Sequence, residues 1–216
     1  METYGDGVAG RAPEDGGPRS VEELRALIAR GERVKYVWFW GHRPRRDKSV
    51  GPGCFSQWWP SPFTVAGVEY ATAEHWMMAG KARLFGDAEA ERRALAAGHP
   101  KEAKDAGRSV RAFDEAVWRE HRFRIVVEGS VHKFGQHPAL RDYLLGTGSR
   151  VLVEASPVDR VWGIGLAADD ERAADPARWR GPNLLGFALM EARQRLMAAG
   201  PADPADGSVS TAEMSS

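Results

Sequence analysis

The sequence predicts a mainly helical α+β domain, and three observations carry that prediction. Segments with apolar residues at helical spacing and recognisable caps fill most of residues 73–145 and 184–199. Between and before them lie only a few short β-branched and aromatic runs, at 34–40, 68–71 and 151–155. These runs do not alternate regularly with the helices, which argues against a doubly wound sheet. With 216 residues, 43% of them hydrophobic, the chain can build one compact domain with a substantial core and is short for two.

Residues 1–19 are rich in Gly, Pro and charge and lack the apolar stretch of a secretory signal, so they read as a disordered extension. The folded domain is expected over 20–200. Ser20 and Glu23 form a capping box that opens a short helix, VEELRALIAR, closed by Gly31. A strand follows in VKYVWFW, then a loop in GHRPRRD. The segment GPGCFSQWWPSPFTV has too many Gly and Pro for a helix and too many aromatics for solvent, which predicts an ordered, partly buried loop.

After the strand at 68–71 come a helix ending near Gly86, one over 87–98, and a short one opened by Pro100. Asp114 is the expected N-cap of a longer helix carrying Trp118, and 138–145 reads as another short helix. The strand at 151–155 precedes an amphipathic helix over 184–199, with Asn183 as its expected cap and Gly200 at its end. The segment 201–216 resembles the first in its small, polar, Pro-containing composition and is also expected to be disordered.

Thirty Lys plus Arg against thirty Asp plus Glu leave no net charge, so no global field draws the chain to nucleic acid or an acidic membrane. No run approaches the roughly twenty apolar residues of a membrane span. The single cysteine, Cys54, excludes an internal disulfide and fits a cytoplasmic location. As a nucleophile it would need a histidine partner in space; a packed thiol is the simpler reading. The six histidines show no metal-ligand spacing, and no metal or other cofactor is expected.

The most informative stretch is TAEHWMMAGKARLF, where a helical projection places Glu74 and Lys81 among Met77, Met78, Leu84 and Phe85. Soluble helices keep charge on the opposite face, so Glu74 is the first candidate for chemistry. The alternative is a carboxylate favouring the helix N-terminus and a lysine whose stem snorkels. A second candidate region is VEASPVDRVWGIGL, which gathers Glu154, Asp159 and Trp162 around a proline and two glycines and reads as a ligand loop. Its Gly163-Ile164-Gly165 lacks the third glycine of a dinucleotide fingerprint. Asp159 alternatively caps a turn, and Trp162 and Trp118 alternatively fill the core. Lys104 and Arg108, four residues apart, suit either a phosphate or a solvated face.

In this order the motifs FWGHRP, CFSQWWPSPFTVAGVEYATAEHWMMAGKARLFGD, AKDAGRSVRAFDEAVW, KFGQHPALRDYLLGTG, LVEASPVDRVWGIGL and GPNLLGFALMEAR resemble the NADAR family, also called YbiA-like proteins. They span about residues 36–196. The resemblance implies a compact, mainly helical α+β fold and an N-glycosidase activity without a cofactor. Some relatives hydrolyse phosphoribosylamino-pyrimidine intermediates of riboflavin biosynthesis, and others remove ADP-ribose from guanine bases. The family's acidic and tryptophan positions fall on Glu74, Trp118, Asp159 and Trp162. Where relatives read FSNW, this chain has Gln57.

The resemblance implies that Glu74 stabilises the cationic transition state and activates water, while Asp159 holds a ribose hydroxyl or the water, or protonates the leaving nitrogen. Trp118 and Trp162 would bracket the base or the transition state. Lys81 would lower the pKa of Glu74 or bind phosphate. Ser56, Lys104, Arg108 and Asn183 complete the expected substrate contacts. The leading expectation is a hydrolase of a small phosphoribosyl substrate. Its competitors are an ADP-ribose glycohydrolase, the one case with a nucleic acid partner, and a non-catalytic ADP-ribose or nucleotide binding module.

Overall fold

The computed structural model describes residues 17–47 and 49–200. The expected disordered segments therefore fall outside the described residues, except for 17–19, where Pro18 is buried and the Arg19 N–H donates to Glu23 at 2.8 Å. Among the described residues there are seven α-helices, four short strands and 3-10 turns at Pro52–Phe55 and Pro176–Arg178; the α-helices and strands follow in the order α1 (Val21–Ala29), β1 (Tyr36–Phe39), β2 (Phe63–Val65), β3 (Val68–Tyr70), α2 (Ala73–Leu84), α3 (Ala88–Ala96), α4 (Pro100–Arg108), α5 (Glu115–Gln136), α6 (Pro138–Leu145), β4 (Val151–Glu154) and α7 (Leu184–Ala198). The class is the mainly helical α+β expected.

The start signals act as their chemistry requires. Ser20 accepts from the Glu23 N–H, Asp87 from Ala90, and Asp114 from Ala116 and Val117. The capping box is not reciprocal, because the Glu23 carboxylate turns to Arg19 instead of Ser20. Asn183 differs more. It adopts a left-handed conformation (φ 55°) and makes no side-chain cap bond to α7. Its amide spans to β4, donating to the Leu152 carbonyl at 2.9 Å and accepting from the Glu154 N–H at 3.0 Å. A fully buried amide must satisfy both ends, and the edge of β4 that faces away from β1 offers both partners.

The sheet content is minimal. β1 pairs with β4 in parallel, aligning Phe39 with Glu154, and β2 with β3 form an antiparallel hairpin. Two strands cannot bury their own faces. Helix α7 therefore packs on β4 and α5, while α2 sits between α3, α4 and α5. Consequently α2 is buried on nearly every side over 73–80, and α7 is likewise buried almost all round from 185 to 190, more than an amphipathic stripe requires. The Trp76 indole donates to the Ile125 carbonyl at 2.7 Å, tying α2 to α5. Gly107 lets α4 approach α2: a Cβ there would collide with Met78. That approach carries Lys104 and Arg108 toward the N-terminal half of α2.

Candidate active site

The ends of these elements enclose a cleft of about 460 Å³. The first turn of α2 contributes Glu74, the end of β4 contributes Glu154, and the loop after it Ser156, Asp159 and Trp162. Trp118 enters from α5, Lys81 from the last turn of α2, Lys104 and Arg108 from α4, and Ser56, Gln57 and Trp58 from the loop before β2. Of the residues singled out in sequence, only Asn183 lies away from the cleft wall, buried behind Glu154 as the brace of β4. A separate depression of about 500 Å³ lies between α1 and Pro176–Arg178; none of the unpartnered buried polar atoms described next lines it.

Among the described residues, four buried side-chain polar atoms have no hydrogen-bond partner. Three of them, Gln57 Nε2, Glu74 Oε1 and Glu154 Oε2, belong to residues of this one cleft. Native folds rarely leave such atoms unpaired, because each costs about 1–3 kcal/mol. Their convergence marks a surface prepared for polar groups of a ligand.

Glu74 is held by backbone as well as burial. Its N–H donates to the Gln57 carbonyl at 2.9 Å, so the loop before β2 caps α2 where Thr72 makes no side-chain cap. Only 3% exposed, its carboxyl is pushed up to about 7 by loss of water. Lys104, the Trp58 indole N–H and Arg108 oppose that rise, and Asp159 adds to it. The cation expected to lower Glu74, Lys81, does not do so. Seven residues further on, roughly 10 Å along the axis, its Nζ sits 4.0 Å from the centre of the Phe113 ring and 5.5 Å from that of Trp118. Burial lowers the pKa of Lys81 itself, and Glu115 partly restores it.

Glu154 went without a role in the sequence reading, although it stands in the loop motif. Its backbone is fixed by β1, by Asn183 and by the Ile164 N–H, which donates to its carbonyl at 2.9 Å. Burial pushes its carboxyl up to about 8, with Asp159 and then Glu74 adding to the rise and Lys104 opposing it. No sequence periodicity signals this position, since a strand end preceding a loop is an ordinary place for glutamate.

Asp159 caps a turn, as one of its two readings expects. Its Oδ1 accepts from the Val161 and Trp162 N–H groups at 2.8 and 2.7 Å, forming a turn cap that sets the position of Trp162. The residue still lines the cleft. Gly163 serves close packing: a Cβ there would lie 2.8 Å from the Glu154 carbonyl oxygen. Trp118 is 8% exposed, so it is both core and cleft wall. Cys54 is buried, its thiol pushed up to about 12 by desolvation, and inert as a nucleophile. Lys133, fully buried on α5, donates to the Cys54 and Ser56 carbonyls at 2.6 and 2.9 Å and so anchors the loop that carries Ser56, Gln57 and Trp58. Nothing in the local pattern around Lys133 signals that role.

Comparison with known proteins agrees with this architecture. The NADAR domain model matches residues 38–197. N-glycosidase R617 of Acanthamoeba polyphaga mimivirus is 42% identical over 168 residues, covering 76% of this chain and 97% of that protein. N-glycosidase YbiA of Escherichia coli (strain K12) is 30% identical over 144 residues, 67% of this chain and 81% of that protein. The solution NMR structure of E. coli YbiA superposes with a TM-score of 0.61 at 27% identity, covering 78% of this chain and 88% of that one. Motifs, fold and alignments thus converge, and the chain belongs to the NADAR family of N-glycosidases.

Proposed function

We propose that the cleft hydrolyses the C–N glycosidic bond of a phosphoribosylamino-pyrimidine, releasing ribose 5-phosphate and the free aminopyrimidine. The observation that carries this reading is the convergence of unpartnered Glu74 and Glu154 carboxyl oxygens in a cleft lined by four tryptophans, Trp40, Trp58, Trp118 and Trp162. Cleaving an N-glycosidic bond builds positive charge on the anomeric carbon and ring oxygen. A carboxylate in a water-poor site stabilises that charge more than it would in bulk solvent.

In this reading Glu74 is the acting carboxylate. It faces the developing cation and takes the proton of the water that attacks the anomeric carbon. Trp118 and Trp162 bracket the planar base, each stack worth about 1 kcal/mol or somewhat more. The phosphate goes to cations that the cleft offers in Lys104, Arg108 and Lys81. Ser56 completes the sugar contacts with its hydroxyl, which also accepts from the Trp58 N–H at 3.1 Å.

One observation favours a second reading. Trp40 and Val158 stand at the cleft mouth 61% and 83% exposed, an apolar rim larger than a pyrimidine requires. That rim suits ADP-ribose attached to guanine, with the second base on Trp40. Purified protein given 5-amino-6-(5-phosphoribosylamino)uracil separates the readings. Release of ribose 5-phosphate is expected. No release from this compound, with ADP-ribose freed from ADP-ribosylated guanosine, overturns the first reading in favour of the second.

A further inference from the structure

We propose that Glu154 is the general acid of the site, the group that hands a proton to the leaving nitrogen as the C–N bond breaks. The proposal rests on the N-glycosidase reading and adds a catalytic residue to it. Three carboxyl groups, Glu74, Glu154 and Asp159, share one cleft. Crowded carboxyls in a site poor in water cannot all ionise, so the question is which keeps a proton.

The neighbours answer it. Asp159 already commits Oδ1 as the acceptor for two backbone N–H groups, which ties it to the turn that carries Trp162. Glu74 lies in the first turn of α2, where the helix dipole favours negative charge, and faces Lys104, Arg108 and the Trp58 indole N–H. Glu154 has the least support for charge: Asp159 and Glu74 face it, with Lys104 as its one opposing cation. Its Oε2 is buried and, like Glu74 Oε1, receives no donor, so an anion there is left unsolvated. Consistent with this, burial pushes its carboxyl well above the usual carboxylate range, with Asp159 and Glu74 adding to the rise. The strand end is also rigid, because β1, Asn183 and Ile164 hold the Glu154 backbone on three sides. A proton donor needs that placement.

The cycle balances. Glu154 protonates the nitrogen while the electron pair of the breaking C–N bond moves onto that nitrogen, leaving a ribosyl cation. Water then adds to the anomeric carbon and loses its proton to Glu74. Transfer of that proton, through solvent, to the Glu154 carboxylate restores the site with one water consumed.

Two measurements test the assignment. In the first, ¹³C-carboxyl NMR of the wild type is compared with Glu154→Gln to identify the Glu154 resonance. It should remain that of the protonated acid at pH 6.5 and titrate above neutrality; an ionised Glu154 at pH 6.5 overturns the proposal whether or not a substrate has been found. In the second, turnover of the aminopyrimidine glycoside is compared with that of 4-nitrophenyl ribofuranoside 5-phosphate, whose phenolate leaves without a proton. Glu154→Gln should slow the first by on the order of a hundredfold and the second by less than about threefold. It should also abolish the alkaline fall in kcat. Equal losses on both compounds, or an unchanged alkaline limb, overturn the role. A wild-type protein that cleaves neither compound counts against the phosphoribosyl substrate, while the NMR titration still decides the protonation of Glu154.

Discussion

Replacing Glu74 with glutamine should stabilise the protein by an amount that depends on pH in a fixed direction. Burial lifts this carboxyl from 4.5 to about 7. Between those values the native state keeps a proton that the unfolded chain has released. Its contribution to stability is therefore complete below pH 4.5 and is lost as pH rises through about 7. At about 1.4 kcal/mol per pH unit, that loss amounts to roughly 3 kcal/mol. Glutamine has no such proton, so the unfolding free energy of Glu74→Gln, relative to wild type, should rise by roughly 3 kcal/mol between pH 4.5 and pH 8. Removing the Glu74 charge also relieves Glu154, which pushes in the same direction. Urea unfolding followed by tryptophan fluorescence at pH 5 and pH 8 reads the difference. Parallel pH dependence in variant and wild type would refute the claim that the fold holds Glu74 away from water.

Lys104→Ala removes the cation that lowers both Glu74 and Glu154. The pH profile of turnover should move upward on both limbs, whereas a lysine that only binds phosphate would raise KM and leave the profile in place. Lys133→Met leaves the Cys54 and Ser56 carbonyls without their buried donor, at a cost of about 1–3 kcal/mol. Burial lowers the Lys133 amine to about 7, so wild-type stability from this group rises as pH climbs from 7 toward 10.5. The destabilisation measured by denaturant titration should thus be larger at pH 9 than at pH 6. Asn183→Ala removes both bonds to β4 and should cost about 2–3 kcal/mol in the same titration. Asn183→Asp, which keeps the acceptor for the Glu154 N–H and places a carboxylate oxygen against the Leu152 carbonyl, should be no better.

Most element starts were legible because caps are local chemistry. Ser20, Asp87 and Asp114 bind N–H groups two or three residues ahead of themselves, and Pro100 and Pro138 open helices from the first position. Glu74 was legible for a different reason: a charge among apolar residues at helical spacing conflicts with amphipathicity, and the structure buries it. What the sequence concealed depends on contacts between distant segments. Asn183 sits where a cap belongs, yet β4, some thirty residues earlier, claims its amide. Lys133 looks like a surface residue of a long helix until the loop around Cys54 closes over it. Glu154 gains its importance only when Asp159 and Glu74 are brought beside it, and Lys81 loses its expected influence on Glu74 because its ammonium lies over the Phe113 and Trp118 rings, roughly two helical turns further along α2.

The measurement that tests the account most directly is turnover of 5-amino-6-(5-phosphoribosylamino)uracil by wild type and Glu74→Gln, with folding of both verified by circular dichroism. The account predicts release of ribose 5-phosphate by the wild type and a loss of on the order of a hundredfold or more in kcat for the variant, with KM little changed. A folded Glu74→Gln protein that turns over at the wild-type rate would contradict it.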